Sequence, residues 1–446
     1  MYSLHFYLYL GVSALAAILS ISMWLDYFRK IDVFEPEKLK YLIFALFIGC
    51  GTPYISLFFY HLVNLTGFTL NGDISNDLFY TIVIIGANEE LSKIIGVIVA
   101  FRLLRNHIKE PIDYLIYAGL VALGFSIVEN FKYFNAYGLQ IITTRAFYSA
   151  LVHIINTTII VYGFYSLKLF GKGSQITNTL LAFAVSASSH GLFDFFLMNN
   201  FIGPYTPFFS MIVYLVGINF WGQMLNNANN FSQNFNYEKI HNSGQVFYRL
   251  LFWYLTTLIF TIIYNMIVFS PKGALNYFFA SLSSDGLLLF VVILRASRFR
   301  FFKLKYFDVK VELPFYITRN EDEDFKLLYF IPIKIRGESA FEYKLTTYLN
   351  KTITLHPLNL TTGVPTEPLE VNLTDKLLLK NDVIVYKANH EGGVYYLKPK
   401  TRGETETEDN FPISGLFKLN SQQISQNTDD INYKDLAFLE WIYIKD

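Results

Sequence analysis

The sequence predicts an all-α polytopic membrane bundle of about nine transmembrane helices followed by a cytosolic, mainly β domain. Three observations predict it. Of 446 residues, 53% are hydrophobic and only 16% charged, with a mean hydropathy of +0.33; soluble domains carry roughly 25% charged residues. The apolar residues gather into runs of about 20, the length an α-helix needs to cross a bilayer. After about residue 300 those runs stop, and short period-two stretches separated by turn residues replace them.

By length and apolarity the spans fall near 3–25, 41–63, 79–102, 114–134, 145–168, 176–198, 205–225, 247–269 and 275–295. Pro204 and Pro207 flank the seventh, and Asp285 interrupts the ninth. The opening Met1-Tyr-Ser-Leu-His5 lacks the basic stretch of a secretory signal, so the first run is expected to remain a span. Positive charge sets orientation. Arg29, Lys30, Lys38 and Lys40 lie in the first loop, Arg102, Arg105 and Lys109 in the third, and Lys168 and Lys172 in the fifth. Arg295, Arg298, Arg300, Lys303 and Lys305 follow the ninth span, whereas loops 64–78 and 199–204 hold no Lys or Arg. The expectation is a multi-pass cell-membrane protein with its N-terminus outside and its C-terminal domain cytoplasmic. Lys132 and Arg145 are the exceptions; snorkelling at a span's edge accounts for Arg145.

The predicted domains are 1–298, polytopic, and 299–446, β-rich. In the second, Phe307–Leu313 and Tyr343–Leu349 alternate with period two, and similar runs recur at 327–335, 352–356, 383–387 and 394–398. A helical stripe appears only in the last residues. Nothing in this domain looks catalytic; its role is unassigned, with binding of a cytosolic protein partner one candidate. Zero net charge and a pI near 7.1 give no footprint for nucleic acid. One cysteine, Cys50, excludes a disulfide framework and a Cys-rich zinc site.

Ionisable residues within spans are costly and mark sites by default. The third span carries Glu89, Glu90 and Lys93; the fourth, Glu129 and Asn130; the fifth, His153, with Asn156 and Thr157 beyond it; the sixth, His190 and Asp194. Lys93 is within helical reach of either glutamate, and His190 and Asp194 stack at i, i+4. Counting 1.5 Å per residue from the outer ends puts Glu90 about 17 Å deep, His153 and His190 about 12–15 Å and Glu129 about 8 Å. Four helices of alternating direction thus bring their polar groups to one slab.

Hydrolysis of a peptide in lipid needs a water, a general base and a donor for the oxyanion. One glutamate of the pair could hold and deprotonate water while the other pairs with Lys93. His153, His190 and Asn130 are candidates for polarising the carbonyl or protonating the leaving amine. Two histidines with Glu90 or Glu129 also match the ligand count of a divalent metal such as zinc, although no His-Glu-x-x-His occurs. A proton-coupled transporter could use the same residues as a relay, and a non-catalytic scaffold as a packing node. The spans that carry them lack proline, and no internal repeat is visible.

Glu-Glu-x-x-Lys at 89–93, Phe-x-x-x-Glu-Asn at 125–130, His153 and His-x-x-x-Asp at 190–194 resemble, in order and spacing, the PrsW family of intramembrane proteases. The first-loop segment Asp32–Lys38 is similar too, and the resemblance covers about 25–225. The family is related to the CAAX-type prenyl endopeptidases and is described as both glutamic and metallo-type. The resemblance implies catalytic roles for Glu89, Glu90, Glu129, His153, His190 and Asp194, with Lys93 and Asn130 supporting them. It also implies a membrane-anchored protein substrate, in regulated proteolysis such as anti-sigma factor release. The last two spans and the β domain lie outside it.

Overall fold

A computed structural model describes residues 2–201, 203–240, 243–282, 286–308, 340–358, 367–379, 383–390, 393–399, 414–419, 431 and 433–444. The chain divides into a helical unit and a second unit built around a β-barrel.

The helical unit begins with α1 (Tyr2–Ile31) and α2 (Leu39–Asn64). Then come α3 (Ile74–Phe79), a π-helical stretch (Tyr80–Ala87) and α4 (Asn88–Leu103). Next are α5 (Pro111–Tyr137), the single turn α6 (Ile142–Thr144), a second π-helical stretch (Arg145–Ser149) and α7 (Ala150–Phe170). The unit closes with α8 (Gln175–Met198), α9 (Thr206–Asn230), α10 (Ser243–Val268), α11 (Pro271–Ser281) and α12 (Leu287–Ala296).

Among the described residues, seven helical segments are long and apolar enough to cross a membrane: α1, α2, α5, Leu139–Phe170, α8, α9 and α10. This is a multi-pass membrane protein, with the predicted count of nine reduced to seven on that criterion. The third predicted span is the composite of α3, the π stretch and α4, too charged at Glu89, Glu90, Lys93 and Arg102 to register as one apolar helix. The ninth is two short helices, α11 and α12; Asp285 between them lies outside the described residues.

Helices α5 and α7 form the centre. The most apolar window is 83% buried in α5 and 78% in Leu139–Phe170, against 28–44% in the other five. Apolar side chains have no reason to leave lipid for each other, so close backbone approach through small residues must hold such helices together. A Cβ on Gly124 would fall 2.1 Å from the Leu46 carbonyl oxygen, and one on Gly49 2.1 Å from that of Val121. Only glycines allow α2 and α5 to cross this closely. A reciprocal box between Glu110 and Asp113, with Pro111 at the first position, fixes the start of α5.

Outside the spans, the Asp32 carboxylate accepts the Glu37 amide at 2.7 Å, but its Oδ1 is buried with no hydrogen-bond partner. Burial pushes this carboxyl up to about 8; nearby Asp113, Glu37 and Glu110 add to the rise, and the Glu37 amide opposes it. The folded state therefore holds a proton that the unfolded chain releases near its ordinary value of about 4. That stabilising contribution is complete below about pH 4 and is lost as pH rises through about 8. The melting temperature of Asp32→Asn in detergent should therefore fall less between pH 5 and 9 than the parent's. Parallel curves for the two proteins would refute this.

The second unit contains α13 (Ala340–Thr347) and strands β1 (Thr352–Leu358), β2 (Leu369–Leu378), β3 (Ile384–His390), β4 (Gly393–Pro399), β5 (Ser414–Leu419) and β6 (Leu436–Ile444). Every neighbouring pair is antiparallel, and β6 pairs back onto β1, closing a six-stranded barrel. Leu355, Val371, Leu373, Val385, Leu397 and Ile442 are buried in it. Residues 352–356, 383–387 and 394–398 fall largely in β1, β3 and β4 as expected. The stretch 343–349 does not become a strand. It lies in α13 and the following turn, where Leu345 and Leu349, spaced i, i+4, are both fully buried. Nor do the final residues form a helix; their β-branched and aromatic side chains build β6. The runs at 307–313 and 327–335 lie mostly or wholly outside the described residues.

Candidate active site

The six catalytic candidates converge from four helices. Glu89 and Glu90 sit on the first turn of α4, immediately after the π stretch. Glu129 is on α5, His153 on α7, and His190 and Asp194 are on α8. Helix α8 reaches Glu90 because its backbone lies against the π stretch. A Cβ on Gly191 would meet Ile82 Cα at 2.3 Å, and one on Gly86 the Ala187 carbonyl oxygen at 2.4 Å. A second π stretch ends at Ser149, one turn before His153. Such segments change the direction in which the following residues point, and they recur at functional sites.

The two adjacent glutamates are in opposite states. Glu90 is fully buried and saturated. Its Oε1 accepts from Lys93 Nζ at 2.6 Å and pairs with His190 Nδ1 at 2.8 Å, while Oε2 accepts from the Thr157 hydroxyl at 2.9 Å. Among the described residues, Glu89 accepts a single hydrogen bond at Oε1, from the Tyr60 hydroxyl at 3.1 Å. Its Oε2 is buried without a hydrogen-bond partner, 3.6 Å from His190 Nε2.

The rest of the network ties the other helices in. Lys93 Nζ lies 3.0 Å from His153 Nδ1, and His153 Nε2 lies 2.8 Å from Glu129 Oε2. An ammonium only donates, so this network assigns the acceptor to His153 Nδ1 and the proton to Nε2. Arg145 Nη2 donates to Glu129 at 2.7 Å, and its Nε donates to Asn130 Oδ1 at 2.7 Å. Asn130 Nδ2 in turn donates to Ser20 on α1. His190 Nε2 is 3.5 Å from Asp194, and the two imidazole centroids are 5.1 Å apart.

Two members were not foreseen. Arg145, read as a snorkelling edge residue, is the counter-ion of Glu129, stacked 4.0 Å over Tyr133. Tyr60, on α2, is one of 32 tyrosines and carries no spacing signal. Thr157, noted without a role, is a ligand of Glu90.

Could the site hold a metal? Donor atoms of Glu89, His153 and His190 all lie within 4.8 Å of one another. The bare Oε2 of Glu89 suits a ligand atom, and the His190 ring is oriented through its other nitrogen by Glu90, as metal-bound histidines are. Four carboxylates (Glu89, Glu90, Glu129, Asp194) face two cations, Lys93 and Arg145, a deficit that a divalent ion would cancel. The set fits a divalent ion on two conditions: His153 must give up its Glu129 bond to offer Nε2, and the Lys93 ammonium must turn from Nδ1, which would then carry the proton. Glu129, tied to Arg145 and His153, stands outside the ligand group.

Residues 37–219 match the family model described as PrsW family intramembrane metalloprotease. A curated relative, Protease PrsW of Clostridioides difficile (strain 630), is 29% identical over 189 residues, covering 41% of this chain and 78% of the relative. No solved structure matches. Helices α10 to α12 and the barrel lie beyond the matched residues.

Proposed function

We propose, from the match of residues 37–219 to the PrsW family of intramembrane proteases, that Glu89 is the base that activates water for cleavage of a membrane-anchored protein. One observation carries this. Of two neighbouring carboxylates, Glu90 has every oxygen engaged, whereas Glu89 keeps a bare oxygen beside a histidine. A base must have a lone pair free for the water it deprotonates, and Glu89 has one. Glu90 neutralises Lys93 and holds His190 by its Nδ1. His190, backed by Asp194, is placed to return the proton to the leaving amine. Glu129, Arg145, His153 and Asn130 tie α5 and α7 to this centre.

The distribution of Lys and Arg supports an N-terminus outside and a cytoplasmic C-terminal domain. On that orientation cleavage falls in the outer half of the bilayer, which favours a single-span regulatory protein, such as an anti-sigma factor, over a prenylated C-terminus at the cytosolic face.

A divalent ion held by Glu89, His153 and His190 would supply Lewis-acid activation of the same water; the close donor set and the charge deficit favour this second reading. In proteoliposomes with a single-span substrate, Glu89→Gln should lower cleavage by about 10²–10⁴-fold, the usual contribution of a general base. Undiminished cleavage would sink both readings. Metal analysis of the purified protein separates them: about one divalent ion per chain, lost in His190→Ala, makes Glu89 a ligand, and none leaves it the base.

A further inference from the structure

We infer that Tyr60 is a catalytic residue, whose phenol donates to the carbonyl oxygen of the scissile bond as that oxygen becomes an oxyanion. The inference rests on the hydrolytic reading of Glu89 above.

A tetrahedral oxyanion needs a donor aimed at it, and removing one such donor costs about 10²–10³ in kcat. Nearly every donor around Glu89 already serves other acceptors. Lys93 bridges Glu90 and His153. Arg145 bridges Glu129 and Asn130, and the Asn130 amide donates to Ser20. Thr157 donates to Glu90, and His153 Nε2 faces Glu129. Drawing these away would take a donor from buried Glu90 or half-buried Glu129, or break the Asn130–Ser20 bond. Of the donors that contact the site's carboxylates, two remain: His190 Nε2, which the leaving amine requires, and the Tyr60 hydroxyl, whose hydrogen-bond acceptor among the described residues is Glu89.

The position of Tyr60 follows from its helix. Side chains on an α-helix lean toward its N-terminus, so Tyr60 reaches back along α2 toward Ser56. There α2 is docked on α4, with Asn88 Nδ2 donating to the Ser56 carbonyl at 3.2 Å. Asn88 immediately precedes Glu89, so the phenol arrives beside the proposed base, half-buried, with exposed Phe58 on the other side of its helix.

In the reaction, Glu89 takes a proton from water as the water oxygen bonds to the carbonyl carbon. The carbonyl π electrons move onto oxygen, and the Tyr60 O–H turns from Glu89 to that oxygen as a hydrogen-bond donor without transferring its proton. When the C–N bond breaks, the oxygen re-forms the carbonyl and the proton passes through Glu89 or His190 to the nitrogen. The Glu89-to-Tyr60 bond thus marks the resting state, and the substrate carbonyl competes for the phenol.

The test uses full-length protein in proteoliposomes and a single-span substrate carrying either an ordinary amide or a thioamide at the scissile bond. Sulfur is a weak acceptor, so the parent should cleave the thioamide poorly. Tyr60→Phe should lower kcat on the amide by about 10²-fold with KM nearly unchanged, and its amide-over-thioamide preference should shrink at least tenfold. Its melting temperature should match the parent's. Wild-type kcat in Tyr60→Phe overturns the assignment. So does a loss of kcat that keeps the full thioamide discrimination, since that would make Tyr60 a holder of Glu89. Glu89→Gln on the same substrates reports separately on the base: an active Glu89→Gln defeats the reading beneath, and an inactive one beside an unimpaired Tyr60→Phe defeats only Tyr60.

Discussion

Glu90→Gln should unfold the helical unit more readily than any other single change in the site, by about 3–5 kcal/mol, the usual cost of stripping one partner from a buried ion pair. The reason is Lys93. Its side chain is fully buried, and the Glu90 carboxylate at 2.6 Å is its counter-ion; its other neighbours are the neutral His153 ring nitrogen and the Phe125 face at 4.8 Å. Gln supplies shape but no charge, so an ammonium would be left in a low-dielectric interior. His190 and Thr157 lose a carboxylate partner as well. Glu89→Gln should do the reverse, abolishing cleavage while melting no lower than the parent, because Glu89 neutralises no lysine or arginine. The double variant Glu90→Gln with Lys93→Met, which removes both charges, should recover most of the lost melting temperature and none of the activity. If Glu90→Gln and Glu89→Gln melt alike, the division of the pair into scaffold and working carboxylate is wrong.

Gly191→Ala should lower cleavage by about 10²-fold without preventing insertion. The added methyl would stand 2.3 Å from Ile82 Cα, 2.5 Å from the Thr81 carbonyl oxygen and 2.6 Å from Ile82 N. All three are backbone atoms, so no side chain can rotate away and α8 must back off from the π stretch. That movement carries His190 away from Glu89 and Glu90 together, and a misplacement of about 1 Å is enough to cost 10²-fold in rate. Gly86→Ala presses on the same contact from the other side and should behave alike. Gly222→Ala on α9, where a Cβ meets nothing within 4 Å, is the control. Normal cleavage by Gly191→Ala would mean that α8 has freedom to repack.

The cluster of polar side chains that forms the candidate site was legible in the sequence because a charge inside an apolar run is conspicuous. Glu90, Lys93, Glu129, His153 and His190 each break a hydrophobic stretch, and helical spacing put Lys93 within reach of either glutamate and stacked His190 with Asp194. Tyr60 was not legible, since a tyrosine in a membrane protein is unremarkable in composition and its meaning comes only from the helix it faces. Arg145 was misread because its position at a span's edge has a sufficient local explanation. The π stretches left no trace either: Tyr80–Ala87 and Arg145–Ser149 contain nothing that distinguishes π from α hydrogen bonding. In the barrel, alternation located β1, β3 and β4. The same alternation misled at Tyr343–Leu349, where Leu345 and Leu349 satisfy both periods and tertiary burial chose the helix.

The strand order of the barrel bears on how the protein is made. β6 is the last of the described strands, and it supplies both the second neighbour of β5 and the closing neighbour of β1. During synthesis the apolar helices leave the ribosome before the strands and can enter the bilayer one after another. The barrel has no such option, because until β6 emerges two open ladders await partners, and exposed edges are sites of aberrant pairing. A nascent chain stalled within β6 would carry an inserted bundle and a sticky, unfinished sheet, a natural target for chaperones or quality-control proteolysis.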